Sequence, residues 1–134
     1  MITRKNVLVV DDDPVFKLIA RKLFERTSEF FNGVAFAENG LDAIQQLKRG
    51  LDNNETPMPD IILLDIEMPI MNGWGFMDEF IKLPAEKTKD IEVYTVSSSI
   101  AQEDKNKTAS YPQIKDYITK PLTIDTIKYI AGAL

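Results

Sequence analysis

The chain has 134 residues, 44% of them hydrophobic and 28% charged, with a net charge of −5; this is the composition of one globular domain with apolar mass enough for a core. Cysteine and histidine are both absent, which excludes disulfides, thiolate and imidazole metal sites, a thiol nucleophile, Ser-His-Asp chemistry and a phosphohistidine of the chain's own. There is no basic block and no apolar run of about 18 residues, so neither non-specific nucleic-acid binding nor a membrane span is expected.

"MITRKN" leads straight into an apolar run, "VLVV" (7–10), leaving no room for a signal peptide, and a cytoplasmic location is expected. "DDDP" (11–14) follows, and then a helix period over 14–27 in which Val15, Ile19 and Leu23 recur every four residues. "GVAFAE" (33–38) reads as a second strand, and 40–49 as a helix with Leu41, Ile44 and Leu47 every three residues. "RGLDNNETPMP" (49–59) is polar and proline-containing and predicts an exposed loop. "IILLD" (61–65) is a third strand. A helix with a Met77, Phe80 and Ile81 stripe follows over 74–83, stopped by Pro84. "IEVYTVS" (91–97) is a fourth strand, the polar stretch 100–110 a weakly patterned helix, and "DYIT" (116–119) a fifth strand. The last helix, 123–134, carries Ile124, Ile127, Ile130, Ala131 and Leu134. Each helical stripe is expected to face a core.

The alternation predicts an α/β fold of five βα units. The consecutive apolar residues of the first and third strands fit central strands covered on both faces. Right-handed crossovers then place helices on both sides of one doubly wound parallel sheet. In such sheets the ligand site lies beyond the carboxyl ends of the strands. There the first strand delivers Asp11, Asp12 and Asp13, the third Asp65, the fourth Ser97, Ser98 and Ser99, and the fifth Lys120 and Pro121.

Asp13 before Pro14 is a good helix N-cap with proline at the first helical position. Asp11, Asp12 and Asp65 converge if the first and third strands are neighbours. Like charges so placed take up protons or bind a cation, and an all-oxygen donor set points to Mg²⁺, with Mn²⁺ as the alternative. A carboxylate can also be a nucleophile toward phosphorus, with Lys120 as the cation that spreads charge and Ser97 as a hydroxyl donor.

"LVVDDDP" (8–14), "DIILLDIEMPIMNGW" (60–74), "VYTVSSS" (93–99) and "DYITKPL" (116–122) together resemble the receiver domain of two-component response regulators, over essentially the whole chain. The resemblance implies a flavodoxin-like three-layer sandwich with strand order 2-1-3-4-5. It implies Asp65 as phosphoacceptor, Asp12 as direct Mg²⁺ ligand, Asp11 acting largely through water, and the backbone carbonyl of Glu67 as a third protein ligand. Ser97 stands at the switch position, Ser98 beside the phosphoryl group, and Lys120 where a lysine pairs with a phosphoryl oxygen. The bond before Pro121 is commonly cis in the family, and Tyr117 matches the aromatic that turns inward on activation. Glu67 and Ser99 border the path of the water that removes the phosphoryl group and are expected to tune its lifetime. The loop 49–59 is longer than the family's, and "TASYPQIKDY" replaces a usual Gly-Ala before the last strand.

So read, residues 1–134 are a single receiver without an output domain, a switch and not a turnover enzyme. The expected partners are a histidine kinase or histidine phosphotransfer protein and a downstream protein effector. A monomer or a weak phosphorylation-dependent dimer is expected. Two alternatives compete. "DDDP" contains the Asp-x-Asp of haloacid-dehalogenase-like phosphatases, with Asp11 as nucleophile and Asp13 as acid–base; or the chain is a pseudo-receiver that only binds partners.

Overall fold

The structure, a computed structural model, describes residues 4–53 and 57–133. The strands are β1 (Lys5–Val10), β2 (Phe31–Ala37), β3 (Ile61–Asp65), β4 (Glu92–Ser97) and β5 (Ile114–Thr119). The helices are α1 (Pro14–Glu25), α2 (Gly40–Asn53), α3 (Gly73–Phe80), the single turn α4 (Ala85–Thr88), α5 (Gln102–Ala109) and α6 (Ile124–Ile130). All strand pairs are parallel, in the order β2-β1-β3-β4-β5. Five βα units and the predicted order are thus present.

β3 is buried along its whole length and β1 from Val7 to Val10, as expected for strands with helices on both faces. One apolar cluster joins Val7, Val9, Ile61 and Leu63 to Phe16, Phe24, Ile127 and Ile130, between the sheet and α1 and α6. The other joins Leu8, Val10, Ile62 and Leu64 to Ala43, Leu47, Phe76 and Phe80, beneath α2 and α3. The alternation of β1 and β3 side chains between these clusters is the period-2 pleat. At the amino ends of the strands, Glu92 holds β1, β4 and β5 together. It pairs with Lys115 at 2.6 Å and Lys5 at 3.7 Å, and accepts from the Tyr94 hydroxyl at 3.1 Å.

Several local expectations are corrected. In α1 the buried stripe is Phe16, Ala20 and Phe24, while Val15 and Ile19 are 63% and 44% exposed. Both stripes have the same four-residue period, so periodicity does not choose between them. Two phenylalanine rings bury more apolar area than Val and Ile, and that difference turns the helix. Leu41 and Ile81 likewise face outward, and Ala43 and Phe76 take the core positions. α2 runs to Asn53, so residues 49–53 of the predicted loop are helical; 54–56 of that loop lie outside the described residues, as does Leu134. α3 ends at Phe80, and Pro84 starts the unpredicted turn α4 instead of merely stopping a helix. α6 is shorter than 123–134, its end followed by Gly132 at φ +80°.

The cap at α1 is as read: Asp13 accepts from the Val15 amide at 2.9 Å with Pro14 in the first turn. Asp13→Ala should lower stability by about 1 kcal/mol, and Asp13→Ser by much less. Urea unfolding of the two variants measures this.

Candidate functional site

The carboxyl ends of the neighbouring strands β1 and β3 bring Asp11, Asp12 and Asp65 together, one oxygen of each lying within 4.8 Å of the others. Asp11 is 1% exposed and Asp65 is buried, whereas Asp12 is exposed. Asp11 is tied twice. Its Oδ1 accepts from the Asp13 amide at 2.8 Å, and its Oδ2 accepts from Lys120 Nζ at 3.0 Å. The same ammonium stands 3.7 Å from Asp65 Oδ1.

Burial raises the Asp65 carboxyl from the ordinary 3.8 to about 6, helped by the charge of Asp11 and, less, of Asp12; Lys120 and the Glu67 amide pull the other way. A carboxylate so placed is stabilised in its charged form by a neighbouring cation. The donor set is oxygen only, and one lysine facing three carboxylates leaves negative charge in excess. The residues therefore fit a hard divalent ion such as Mg²⁺, and no nitrogen or sulfur donor favours a softer one.

Lys120 leaves β5 with its own amide donating to the Ser97 carbonyl at 2.8 Å, and the bond to Pro121 is cis. Its ammonium lies 4.4 Å from the centre of the Phe16 ring. Phe16 thus supports the lysine from below, a cation–π contact. Phe16 was not singled out from the sequence; its only signal is its place in the first turn after the acids, on the stripe that periodicity left undecided.

On β4, Ser97 is buried and its Oγ accepts from the Ser99 amide at 3.0 Å. Ser98 is exposed. The Ser99 hydroxyl accepts from the Ala101 amide at 3.1 Å, while its carbonyl accepts from the Tyr117 hydroxyl at 2.6 Å. Tyr117 is half-buried, and its ring is thereby fastened to the loop 97–100. Behind that loop the hydroxyls of Thr95 and Thr108 share a buried hydrogen bond at 3.1 Å, which anchors α5 by its single buried residue. Sequence reading missed this pair, because one threonine in a polar helix carries no periodic signal.

The segment 66–72 is fixed at both ends. The Gly73 amide donates to the Ile66 carbonyl at 2.9 Å, and the Gly40 amide to the Met71 carbonyl at 2.9 Å. Between these points Glu67 is exposed and Ile70 has φ +68° with 80% of its surface exposed. For a side chain with a branched Cβ, left-handed backbone costs about 1–2 kcal/mol.

Every sequence-predicted site residue therefore lies at one edge of the sheet. Asp13 caps α1, the use that its place before Pro14 favours over an acid–base partnership with Asp11. An apolar cavity of about 280 Å³, lined by Leu8, Val34, Leu47 and Met58 among others, contains none of these residues.

Fold and site define a flavodoxin-like α/β protein with an acid cluster at its topological switch point. The family model of the response regulator receiver domain matches residues 7–131, and the chain belongs to that family. Sensor histidine kinase CheAY of Helicobacter pylori is 33% identical across 86% of this chain and 13% of that protein. The probable C4-dicarboxylate response regulator DctR of Priestia megaterium is 31% identical across 92% of this chain and 48% of its own length. The chain thus spans less than half of either relative. Chemotaxis protein CheY of Halobacterium salinarum is 32% identical, with 87% of this chain and 85% of that protein covered. Among solved structures, a two-component response regulator from Cytophaga hutchinsonii superposes with a TM-score of 0.84 at 25% identity, covering 97% and 96% of the two chains. No helix among the described residues is long and apolar enough to cross a membrane.

Proposed function

We propose that the chain is a phosphorylation switch that accepts a phosphoryl group from a phosphohistidine-bearing protein onto Asp65. The observation that carries this is the position of Lys120, 3.0 Å from Asp11 and 3.7 Å from Asp65 at the open edge of the sheet. An Asp65 oxygen attacks phosphorus in line, the P–N bond of the phosphohistidine breaks, and the imidazole leaves with the electron pair and takes up a proton. Lys120 pairs with an equatorial phosphoryl oxygen, and the exposed Ser98 lies beside the group. Mg²⁺, when bound, would neutralise charge on the transferring oxygens. Asp12, Asp65 and the Glu67 carbonyl would hold it, with Asp11 acting through water because both its oxygens are already engaged.

The new group adds about −1.5 to −2 charge. It draws the Ser97 hydroxyl toward itself and away from the Ser99 amide. Since Ser99 also anchors Tyr117, the loop and the ring are released together, and Tyr117 turns inward. The surface of α5, β5 and α6 changes, and a downstream protein reads it. Glu67 and Ser99 tune the lifetime of the phosphoryl group. One receiver unit over residues 1–134, acting in the cytoplasm as a monomer or weak dimer, belongs to the same proposal. Its nearly full-length match to a chemotaxis CheY supports it.

With phosphoramidate and Mg²⁺ the protein should gain one phosphoryl group by mass spectrometry, and Asp65→Asn should abolish the gain. An unlabelled wild type, or labelling indifferent to Asp65→Asn, defeats the proposal. Partner switching retained in Asp65→Ala would favour the pseudo-receiver instead.

A further inference from the structure

We infer that Ile70 is the residue by which the phosphoryl-donating protein is recognised, its side chain seating in an apolar patch of that protein over Asp65. This rests on Asp65 being the phosphoacceptor. Among the described residues Ile70 is the one non-glycine residue with positive φ, and as a β-branched residue it is badly suited to that backbone. Strain of this kind persists where packing rewards it, but Ile70 is 80% exposed and belongs to neither apolar cluster of the described residues. The loop does not relax, because the hydrogen bonds of Gly40 and Gly73 hold both of its ends. Glycine or asparagine would fit the same φ without the strain. Neither backbone nor core explains an isoleucine here.

Two other exposed aliphatic residues lie at the same end of the sheet. Among the described residues the three most exposed large aliphatic side chains are Ile70 at 80%, Ile100 at 78% and Val15 at 63%. They follow the carboxyl ends of β3, β4 and β1, the three adjacent strands that carry Asp65, Ser97 and the Asp11–Asp12 pair. Whatever transfers a phosphoryl group to Asp65 must come within bonding distance of it and so lay its surface on this rim. A small phosphodonor is too small to gain from side chains spread over three loops; a protein is not. The exposed Glu67 carboxylate on the same rim further specifies a partner whose apolar patch is flanked by Lys or Arg.

The test compares wild type with Ile70→Leu, Ile70→Asn and Ile70→Gly. Thermal midpoints, labelling by phosphoramidate, and transfer from each autophosphorylated histidine kinase and phosphorylated phosphotransfer domain of the chain's own genome are measured. Ile70→Asn should melt at or above wild type, by about 3 °C for strain relieved. Phosphoramidate labelling should stay within about two-fold in all variants, since no small donor touches the rim. Transfer from the best protein donor should fall by about ten-fold in Ile70→Asn and Ile70→Gly, and persist in Ile70→Leu, which keeps the apolar surface.

Unchanged protein-donor transfer in Ile70→Asn overturns the inference. So does a lowered midpoint, which would place Ile70 in the service of the fold, or a wild type labelled by phosphoramidate that takes phosphate from no protein donor. Self-association lost in Ile70→Asn with transfer intact assigns the rim to a second copy of the chain and overturns it too. A wild type that phosphoramidate does not label at Asp65 defeats the phosphoacceptor assignment first, and this inference with it.

Discussion

Gly73→Ala is expected to lower the stability of the fold by about 3 kcal/mol, the upper range for forcing a methyl group into a packed site. A Cβ there would lie 2.7 Å from the Asp65 carbonyl oxygen and 3.0 Å from the Ile66 Cα. Both are backbone atoms, and neither can rotate out of the way. The first turn of α3 is also held to the exit of β3 by the amide of Gly73 itself. Room for the methyl group therefore comes only from moving α3 away from the strand that carries Asp65. Guanidinium unfolding should show a lower midpoint with an unchanged slope, and phosphoramidate labelling of the folded fraction should slow. A change below about 0.5 kcal/mol would mean that α3 slides freely on β3.

Asp65→Asn should stabilise the Mg²⁺-free protein at neutral pH. In the folded chain Asp65 holds its proton up to about 6, against an ordinary 3.8. Between those two values the folded state binds more protons than the unfolded state, so stability falls as pH rises through the window. Each pH unit is worth ~1.4 kcal/mol, and the whole penalty is about 2–3 kcal/mol at pH 7. Asparagine carries no charge and escapes it. The stability gap between variant and wild type should therefore be widest above pH 6 and close toward pH 4. Added Mg²⁺ should narrow the gap by stabilising wild type alone. A gap that is flat from pH 4 to pH 8 would remove the explanation from burial and neighbouring charge.

The alternation of strands and helices and the acid cluster were legible because their signals are coarse; the strand order came with the resemblance. Four apolar residues before Asp65 mark a buried strand ending in a charge, and that end is where such sheets place ligands. Lys120 was legible from its place at the end of the fifth strand, opposite the acids, and the resemblance of "DYITKPL" sharpened it, since a lone lysine after a strand is ordinary. What failed was the choice between equivalent stripes. Val15–Ile19–Leu23 and Phe16–Ala20–Phe24 are both helical, and only the partner surface on β1 and α6 decides between them. The end of α2 failed for a related reason: "RGLDN" is polar, yet Gly50 is buried and the helix continues through it. Contacts across the chain, such as Lys120 on Phe16 or Thr95 on Thr108, leave no local trace.

The Glu92 cluster gives the sheet a fixed end and a free one. Lys5 and Lys115 fasten β4 to β1 and β5 at its first residue, while beyond Ser97, its last paired residue, the chain opens into a loop held by single hydrogen bonds. β4 is in effect a cantilever, clamped at the base and loaded at the tip. A load at the tip has a sideways path, from the Ser97 hydroxyl through Ser99 to Tyr117 on β5. The chain thus resembles a lever with one grounded end, and the direction in which it can speak to another protein is set by where it is bolted down.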